Sequence, residues 1–333
     1  MAPVKPRVLS GMRPTGRLHL GHLVGALRNW VPLQDQYECF YFVADWHALT
    51  SEYAATDDIA AYAYSNLSDW IAAGLDPEKS TLFVQSMVPE HAELHLLLSM
   101  IIPVPWLERV PTYKEQRDQL TEKDLSTYGF LGYPLLQTAD IIMYNAHYVP
   151  VGEDQVPHLE LSREVVRRFH AFFGEVFVEP QPLLTHFPRL PGLDNRKMSK
   201  SYGNAIDLSD DAETVRKKVM SMYTDPNRVR ADIPGNVEGN PVFTYHDAFN
   251  PDIAEVDDLK ARYRAGQVGD VEVKRKLIAA LELTLGPMRQ RRAEVLARPD
   301  RLREIINDGS ARARRVAHDT MARVREAVKI AYR

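Results

Sequence analysis

Short apolar runs alternate with stretches of helical period along the first half of the chain. Val8-Leu9 begins a short strand that runs into the turn Ser10-Gly11-Met12-Arg13-Pro14-Thr15-Gly16. Beyond it Leu20, Leu23, Val24, Leu27, Trp30 and Val31 recur at helical spacing, so His19-Leu20-Gly21-His22 falls on the first turn of a helix. Glu38-Cys39-Phe40-Tyr41-Phe42-Val43 is nearly all apolar, as expected of a strand covered on both faces. Ala44-Asp45-Trp46-His47 follows, at the strand end where open α/β sheets bind ligands. Thr56 is a candidate cap for a helix to about Ala73, stopped by Gly74. Thr81 to Gln85 reads as a third strand, and Glu90 to Ile102 as a helix ending before Pro103 and Pro105.

The order β-α-β-α-β-α predicts an α/β fold with a Rossmann-like, doubly wound parallel sheet. No G-x-G-x-x-G follows the first strand, so a dinucleotide site has no support. Residues 106–127 are polar, include Tyr113-Lys114-Glu115 and show no clear apolar stripe, which predicts a mobile connecting insertion. Within the run Tyr128 to Ile142, Pro134 suits the first turn of a helix that would place Tyr133, Gln137 and Asp140 on one face. Tyr148 to Val151 is a short strand, followed by Gly152-Glu153-Asp154-Gln155 and a helix to about Phe173. From 188 to 208 there is no periodicity, and glycine, serine and lysine predict an exposed, flexible loop. After Asp210 only helical patterns remain: Asp211 to Tyr223, Asp257 to Arg264, Val271 to Ala297 and Ser310 to Tyr332, with loops such as Asp232 to Pro241. The expected division is therefore a catalytic domain over 1–208 and a C-terminal all-α domain over 209–333, whose last helix packs back on the first.

Composition narrows the chemistry. With 41 Lys and Arg against 45 Asp and Glu, the net charge of −4 carries no global sign of nucleic-acid binding, so any RNA contact must use a local basic face. The last helix offers one. Arg312, Arg314, Arg315, Arg323, Arg325, Lys329 and Arg333 face only Asp319 and Glu326, as a phosphate-tracking stripe or as an ordinary solvated face. Cys39 is the only cysteine, which excludes a disulfide framework and cysteine metal sites within one chain. The first residues lack an apolar signal region and no stretch is long enough to span a bilayer, so a reducing cytoplasm is the expected setting.

Four places carry candidate chemistry, each with a plain structural alternative. His19 and His22 stand where a helix start suits phosphate, with Gly21 allowing close approach, or they are surface groups. Asp140 lies among Leu, Ala and Ile, where a carboxylate needs a partner: a ligand, or merely a neighbouring cap or Arg. Gly152 to Gln155 suits a ribose, or is only a turn and cap. Lys197-Met198-Ser199-Lys200-Ser201 has two lysines able to clamp phosphates, or is a solvated basic loop.

In this order the motifs resemble the class I aminoacyl-tRNA synthetases. Ser-Gly-Met-Arg-Pro-Thr-Gly, Ala-Asp-Trp-His, Tyr-Pro-Leu-Leu-Gln-Thr-Ala-Asp, Val-Gly-Glu-Asp-Gln and Lys-Met-Ser-Lys-Ser are similar, more narrowly, to the bacterial tryptophanyl-tRNA synthetases, over Val8 to at least Tyr223. That resemblance implies a two-step ligation, in which tryptophan and ATP give tryptophanyl-adenylate and pyrophosphate, and the amino acid then passes to tRNA-Trp. It implies ATP contacts from Arg13, Pro14, Thr15, Gly21, His22, Gly152, Glu153, Asp154, Leu190, Lys197, Met198, Ser199, Lys200 and Ser201. His19, His22, Lys114, Lys197 and Lys200 would act on the phosphates. Asp140 would accept the indole N–H, Tyr133 and Gln155 would bind the α-amino group, and Leu9, His47 and Gln137 would complete the pocket. Mg²⁺ is expected to arrive on the nucleotide with no metal site in the protein, and a homodimer is implied. Two departures stand out: many bacterial members carry Gln where Arg13 stands, and the cysteines that hold an iron–sulfur cluster in one branch are absent. Tyrosyl-tRNA synthetase, a small nucleotidylyltransferase and a synthetase-like regulatory protein are the rival readings.

Overall fold

The computed structural model describes residues 5–119, 124–152, 155–184, 190–198, 202–225, 228 and 230–332. Five parallel strands, β1 (Arg7–Met12), β2 (Glu38–Val43), β3 (Ser80–Val84), β4 (Tyr148–Val151) and β5 (Gln181–Leu184), form one sheet in the order β3-β2-β1-β4-β5. Side chains alternate between its two faces. Cys39, Tyr41 and Val43 of β2 enter one buried cluster, while Phe40 and Phe42 enter the other. Both faces are therefore dry, which is why the run reads as continuously apolar.

Helices cover both faces. The chain after β1 forms α1 (Leu20–His22), a wide π-helical turn over Leu23–Leu27, and α2 (Arg28–Gln36). Trp30 of α2 stacks on Tyr41 at 4.5 Å between ring centroids and meets Trp70 edge-on at 5.3 Å. Between β2 and β3 lie α3 (Asp45–Glu52) and α4 (Ile59–Ala73); Gly74 ends α4 at φ 119°, the left-handed cap conformation glycine favours. On the other side of β3 come α5 (Glu90–Ser99), α6 (Val104–Glu108), α7 (Pro111–Gln119) and α8 (Tyr128–Met143). Next come α9 (Val156–Phe173), between β4 and β5, and then α10 (Ala212–Met220), α11 (Pro241–Phe249), α12 (Ile253–Arg264), α13 (Asp270–Leu296) and α14 (Pro299–Ala327). One core runs across position 208: Leu23, Trp30 and Leu67 share a cluster with Val215, Phe243 and Leu281.

Several expectations need correction. Residues 106–127 are not a featureless insertion: Leu107, Val110 and Tyr113, three apart, are buried with Leu125 against the core. Their stripe was hidden among prolines and charges. Pro134 lies inside α8 rather than in its first turn, because Thr127 accepts from the Phe130 N–H at 3.2 Å and starts the helix at Tyr128. β5 escaped notice because Pro182 depresses strand propensity, although an edge strand tolerates it. α11 is also additional, capped by Asn240 with Pro241 leading. The stretch around 188–208 is partly anchored, with Leu190, Leu193, Ile206 and Leu208 buried.

α14 starts eleven residues earlier than expected, at Pro299, and it crosses the sheet's edge. Leu302 and Ile306 belong to the core of one face; Ala313, Ala317, Met321 and Val324 belong to the other. At the crossing a Cβ on Gly309 would stand 1.8 Å from the Leu82 carbonyl oxygen, so only glycine lets the helix lie against β3. Ser310 Oγ accepts from the Val84 N–H at 3.5 Å, and Arg312 Nη2 donates to the Pro77 and Ser80 carbonyls at 2.7 and 3.3 Å. Arg314 pairs with Glu90 at 3.0 Å and Arg325 with Glu93. Much of the basic character of this helix is thus spent on the catalytic half of the same chain, not on a free stripe.

Candidate active site

A cavity of about 380 Å³ opens at the carboxyl ends of β1 and β4, between Leu9, Ser10 and Gly11 on one side and Val149, Pro150 and Val151 on the other. The strand order runs away from β1 toward β2 and β3, and from β4 toward β5, so this is the topological switch point of the sheet. Its size is that of a small-molecule pocket. Leu9, Arg13, His47, Tyr133, Gln137, Asp140 and Gln155 all line it. Residues from the first turn, α3, α8 and the cap of α9 are thereby gathered around one cavity.

Asp140 is 1% exposed and surrounded by donors. Oδ2 faces His47 Nε2 at 2.8 Å; Oδ1 faces His91 Nδ1 at 2.6 Å and accepts from Gln85 Nε2 at 2.7 Å. Burial, the largest single influence, would raise its pKa. The hydrogen bonds and fields of His47 and His91 together outweigh it, and the carboxyl lies below its ordinary value. Tyr144, whose hydroxyl is held protonated by burial, meets His91 Nε2 at 2.7 Å. An ionised carboxylate only accepts, so it is His91 Nδ1–H that donates to Asp140. An ionised carboxylate has about four acceptor places. Three are filled from within the protein, which leaves one, on Oδ2, of a residue that lines the cavity.

Gln85, His91, Tyr144, Thr112 and His158 were missed in the sequence. Thr112 and His158 line the cavity, and Thr112 Oγ1 bonds both Tyr133 Oη, at 3.0 Å, and His158 Nε2. Two signals were available: Gln85 ends a strand as His47 follows one, and Tyr144 lies one turn beyond Asp140. Burial raises the Tyr133 pKa and lowers that of Arg13, whose guanidinium donates to Ser51 Oγ at 3.2 Å.

The second group of expected residues lies outside this cavity. His19 caps α1 by accepting from Gly21 N at 3.1 Å, and His22 Nδ1 accepts from His19 N at 3.1 Å, so two histidines form a reciprocal capping box. Their ring centroids are 3.9 Å apart. A Cβ at Gly21 would meet the His19 ring at 2.9 Å and Met198 Sδ at 3.2 Å. The same turn is bonded to 206–208: Leu20 N donates to Ile206 O at 3.0 Å and Leu208 N to Leu18 O at 2.8 Å. Asn204 Nδ2 donates to Asp194 Oδ1 at 2.8 Å and to Lys197 O at 3.2 Å, fixing the base of the lysine loop. Pro14 and Leu190 are buried; Thr15 and Gly152 are half-buried; Lys114 and Lys197 are exposed. Glu153, Asp154, Ser199, Lys200 and Ser201 lie outside the described residues.

Residues 2–286 match the family of class I tRNA synthetases for W and Y. The chain is 50% identical over 327 residues to the tryptophan–tRNA ligase of Thermotoga maritima, covering 98% of this chain and 100% of that one. It is 43% identical over 393 aligned positions to that of Aquifex aeolicus, covering 97% and 100%. A tryptophanyl-tRNA synthetase from Campylobacter jejuni, solved with ADP and tryptophan, superposes with a TM-score of 0.87 at 31% identity, covering 97% and 99%. A tyrosyl-tRNA synthetase from Archaeoglobus fulgidus gives 0.67 at 25% identity, covering 87% and 91%. The chain therefore belongs to the class I tRNA synthetases that serve tryptophan and tyrosine. Within them it stands with the bacterial tryptophan–tRNA ligases, and its activity is the ATP-dependent joining of tryptophan to tRNA.

Proposed function

We propose that the cavity beside Asp140 is the tryptophan site and that adenylate forms at its mouth. The observation that carries this reading is the single open acceptor place on a buried, ionised carboxylate in a cavity wall. An indole N–H fills that place; a phenyl ring leaves it empty, and a phenol presents its hydroxyl elsewhere. Selection by a buried polar partner reaches about 10⁴–10⁵-fold without editing. Tyr133 and Gln155 then hold the α-amino group, while Leu9, His47 and Gln137 enclose the ring.

With tryptophan so placed, its carboxylate oxygen attacks the α-phosphorus of ATP. The new C(O)O–P bond forms as the bond to the β-phosphate oxygen breaks, and pyrophosphate leaves. A ribose hydroxyl of tRNA-Trp next attacks the activated carbonyl carbon and AMP departs. In such transfers the protein chiefly positions groups and meets developing charge. His19, His22 and Gly21 suit the nucleotide's phosphates and adenine, with Pro14, Thr15, Gly152, Leu190 and Met198 around them. Arg13, partly stripped of water, suits an anion from either substrate. Lys114, Lys197 and Lys200 would meet the leaving pyrophosphate; Glu153, Asp154, Ser199 and Ser201 complete the ATP set on their motifs alone. Mg²⁺ would come with ATP. The helical region beyond 208 would take the anticodon side of the tRNA, in a cytoplasmic homodimer. Among the described residues, no helix is long and apolar enough to cross a membrane.

Amino-acid-dependent ATP–pyrophosphate exchange tests the site. Asp140→Ala should raise the KM for tryptophan about 10²-fold, as for a lost hydrogen bond to a charged group, and leave that for ATP within about twofold. An unchanged tryptophan KM would remove Asp140 from the pocket's chemistry.

A further inference from the structure

Asp140 is aimed by residues that never reach the cavity themselves. Gln85 and His91 are both fully buried, yet neither lines it. They arrive from different elements, the turn after β3 and the first turn of α5, and both point at Oδ1 of the same carboxylate. His47 holds Oδ2 from a third element. Gln85 Oε1 is buried with no hydrogen-bond partner among the described residues, so the side chain satisfies only one end, the one that donates to Asp140. Burying an unpaired carbonyl is costly, and an apolar side chain would avoid it. A glutamine here serves stability poorly and serves Asp140 well.

We propose that Gln85 and His91 are positioning residues for tryptophan selection, saturating Oδ1 of Asp140 so that the one remaining acceptor place, on Oδ2, is turned to the indole N–H. This rests on the reading of Asp140 as the indole acceptor. The contacts Tyr144–His91–Asp140 form a buried chain at 2.7 and 2.6 Å. Tyr144 caps His91 Nε2, His91 donates from Nδ1, and the carboxylate therefore turns neither of its oxygens outward as a donor. Discrimination follows, because a carboxyl that rotated or took up a proton could donate to a sulfur or accept a hydroxyl. The groups facing this carboxylate from the packed elements are His47 of α3, His91 and His95 of α5, and Tyr144 of α8 itself, with Glu90 acting on Tyr144. Burial lowers the pKa of His95.

The test compares tryptophan with β-(3-benzothienyl)alanine, in which sulfur replaces the indole N–H, by ATP–pyrophosphate exchange. His91→Leu should lower the ratio of kcat/KM for the two amino acids about tenfold, mainly through the tryptophan KM. It should also move the acid limb of the tryptophan profile to higher pH, since losing a donor raises the carboxyl's pKa, without moving the limb for the analogue. His91→Asn, which keeps an N–H where Nδ1 stood, should restore the ratio to within about threefold. Gln85→Met provides the same comparison if His91→Leu does not fold, with the same expected loss of ratio. Equal losses for both amino acids, with an unmoved pH limb, would reduce His91 and Gln85 to packing residues and overturn the proposal. Asp140→Asn separates the two layers. If it leaves the ratio intact, the indole reading itself fails. If it collapses the ratio while His91→Leu and Gln85→Met do not, only the positioning role fails.

Discussion

Asp140 and Asp69 are each 1% exposed, yet their surroundings drive them in opposite directions. In the cavity wall, His47 and His91 overcome burial and Asp140 stays below the ordinary carboxyl range. Elsewhere, among the described residues, Asp69 of α4 has a single hydrogen-bond partner: Arg292 of α13 donates from Nε at 2.6 Å, and Asp69 Oδ2 has none. There burial wins over Arg292 and the carboxyl rises to about 6. The contrast teaches what each region is built for. The first holds a charge ready as an acceptor. The second ties the sheet half of the chain to its helical half through a buried pair whose rupture leaves an uncompensated carboxylate behind.

The signs of the pH dependence differ accordingly. Asp140 contributes stability above the unfolded carboxyl pKa and loses it only as pH falls through its lowered native value. For Asp69 the native state holds the proton more tightly between about 4 and about 6, so this group's contribution falls as pH rises through that window. The largest expected effect follows from the second case. Arg292→Met strands the Asp69 carboxylate and should cost about 3 kcal/mol in urea unfolding at pH 8, and clearly less at pH 5, where Asp69 is protonated. Equal losses at both pH values would mean that Asp69 is not the group responsible.

Smaller effects probe whether the two sides are separable. Gly21→Ala puts a methyl against the His19 ring and Met198. It should slow adenylate formation about tenfold while the KM for tryptophan stays within about twofold; a matching rise in that KM would show that the histidine turn also shapes the amino-acid pocket. The least change is expected from His19→Asn, because Asn is itself a good helix cap. Thermal or urea unfolding should find it within about 0.5 kcal/mol of the parent, against about 1 kcal/mol lost in His19→Ala. Both variants should lose adenylation rate alike. If Asn restores the rate, His19 acts only as a cap.

What could be read from the sequence was what is local. The strands of the first half, the helix start at His19 and the face shared by Tyr133, Gln137 and Asp140 each lie within a few residues, where a period or a cap reveals them. Leu9, His47, Tyr133, Gln137, Asp140 and Gln155 are grouped by the family resemblance, and Arg13 with the nucleotide, but their place at the ends of β1 and β4 needs the sheet order. Asp140's partners stood out of reach, since His47, Gln85 and His91 lie 93, 55 and 49 residues away. His91 looks like any histidine on a helix until the sheet brings α5 against α8. The basic last helix misled for a related reason: charge in a sequence does not say whether its partner is a nucleic acid or another part of the same chain. Pro182 and Pro241 hid a strand and a helix because proline marks edges and first turns as often as loops.

The crossing of α14 over β3 also sets an order in time. Until Gly309, Ser310 and Arg312 arrive, the carbonyls of Ser80 and Leu82 and the N–H of Val84 form an open sheet edge, the kind that recruits foreign strands. Val84 and Ser310 are 226 residues apart. At 5–20 residues per second, a ribosome needs roughly 10–45 s to travel that distance. In the later part of that interval, once β5 has been made, the nascent chain carries all five strands with an unguarded border, so safe folding of this enzyme depends on how quickly its own end is translated or on what shields the edge meanwhile.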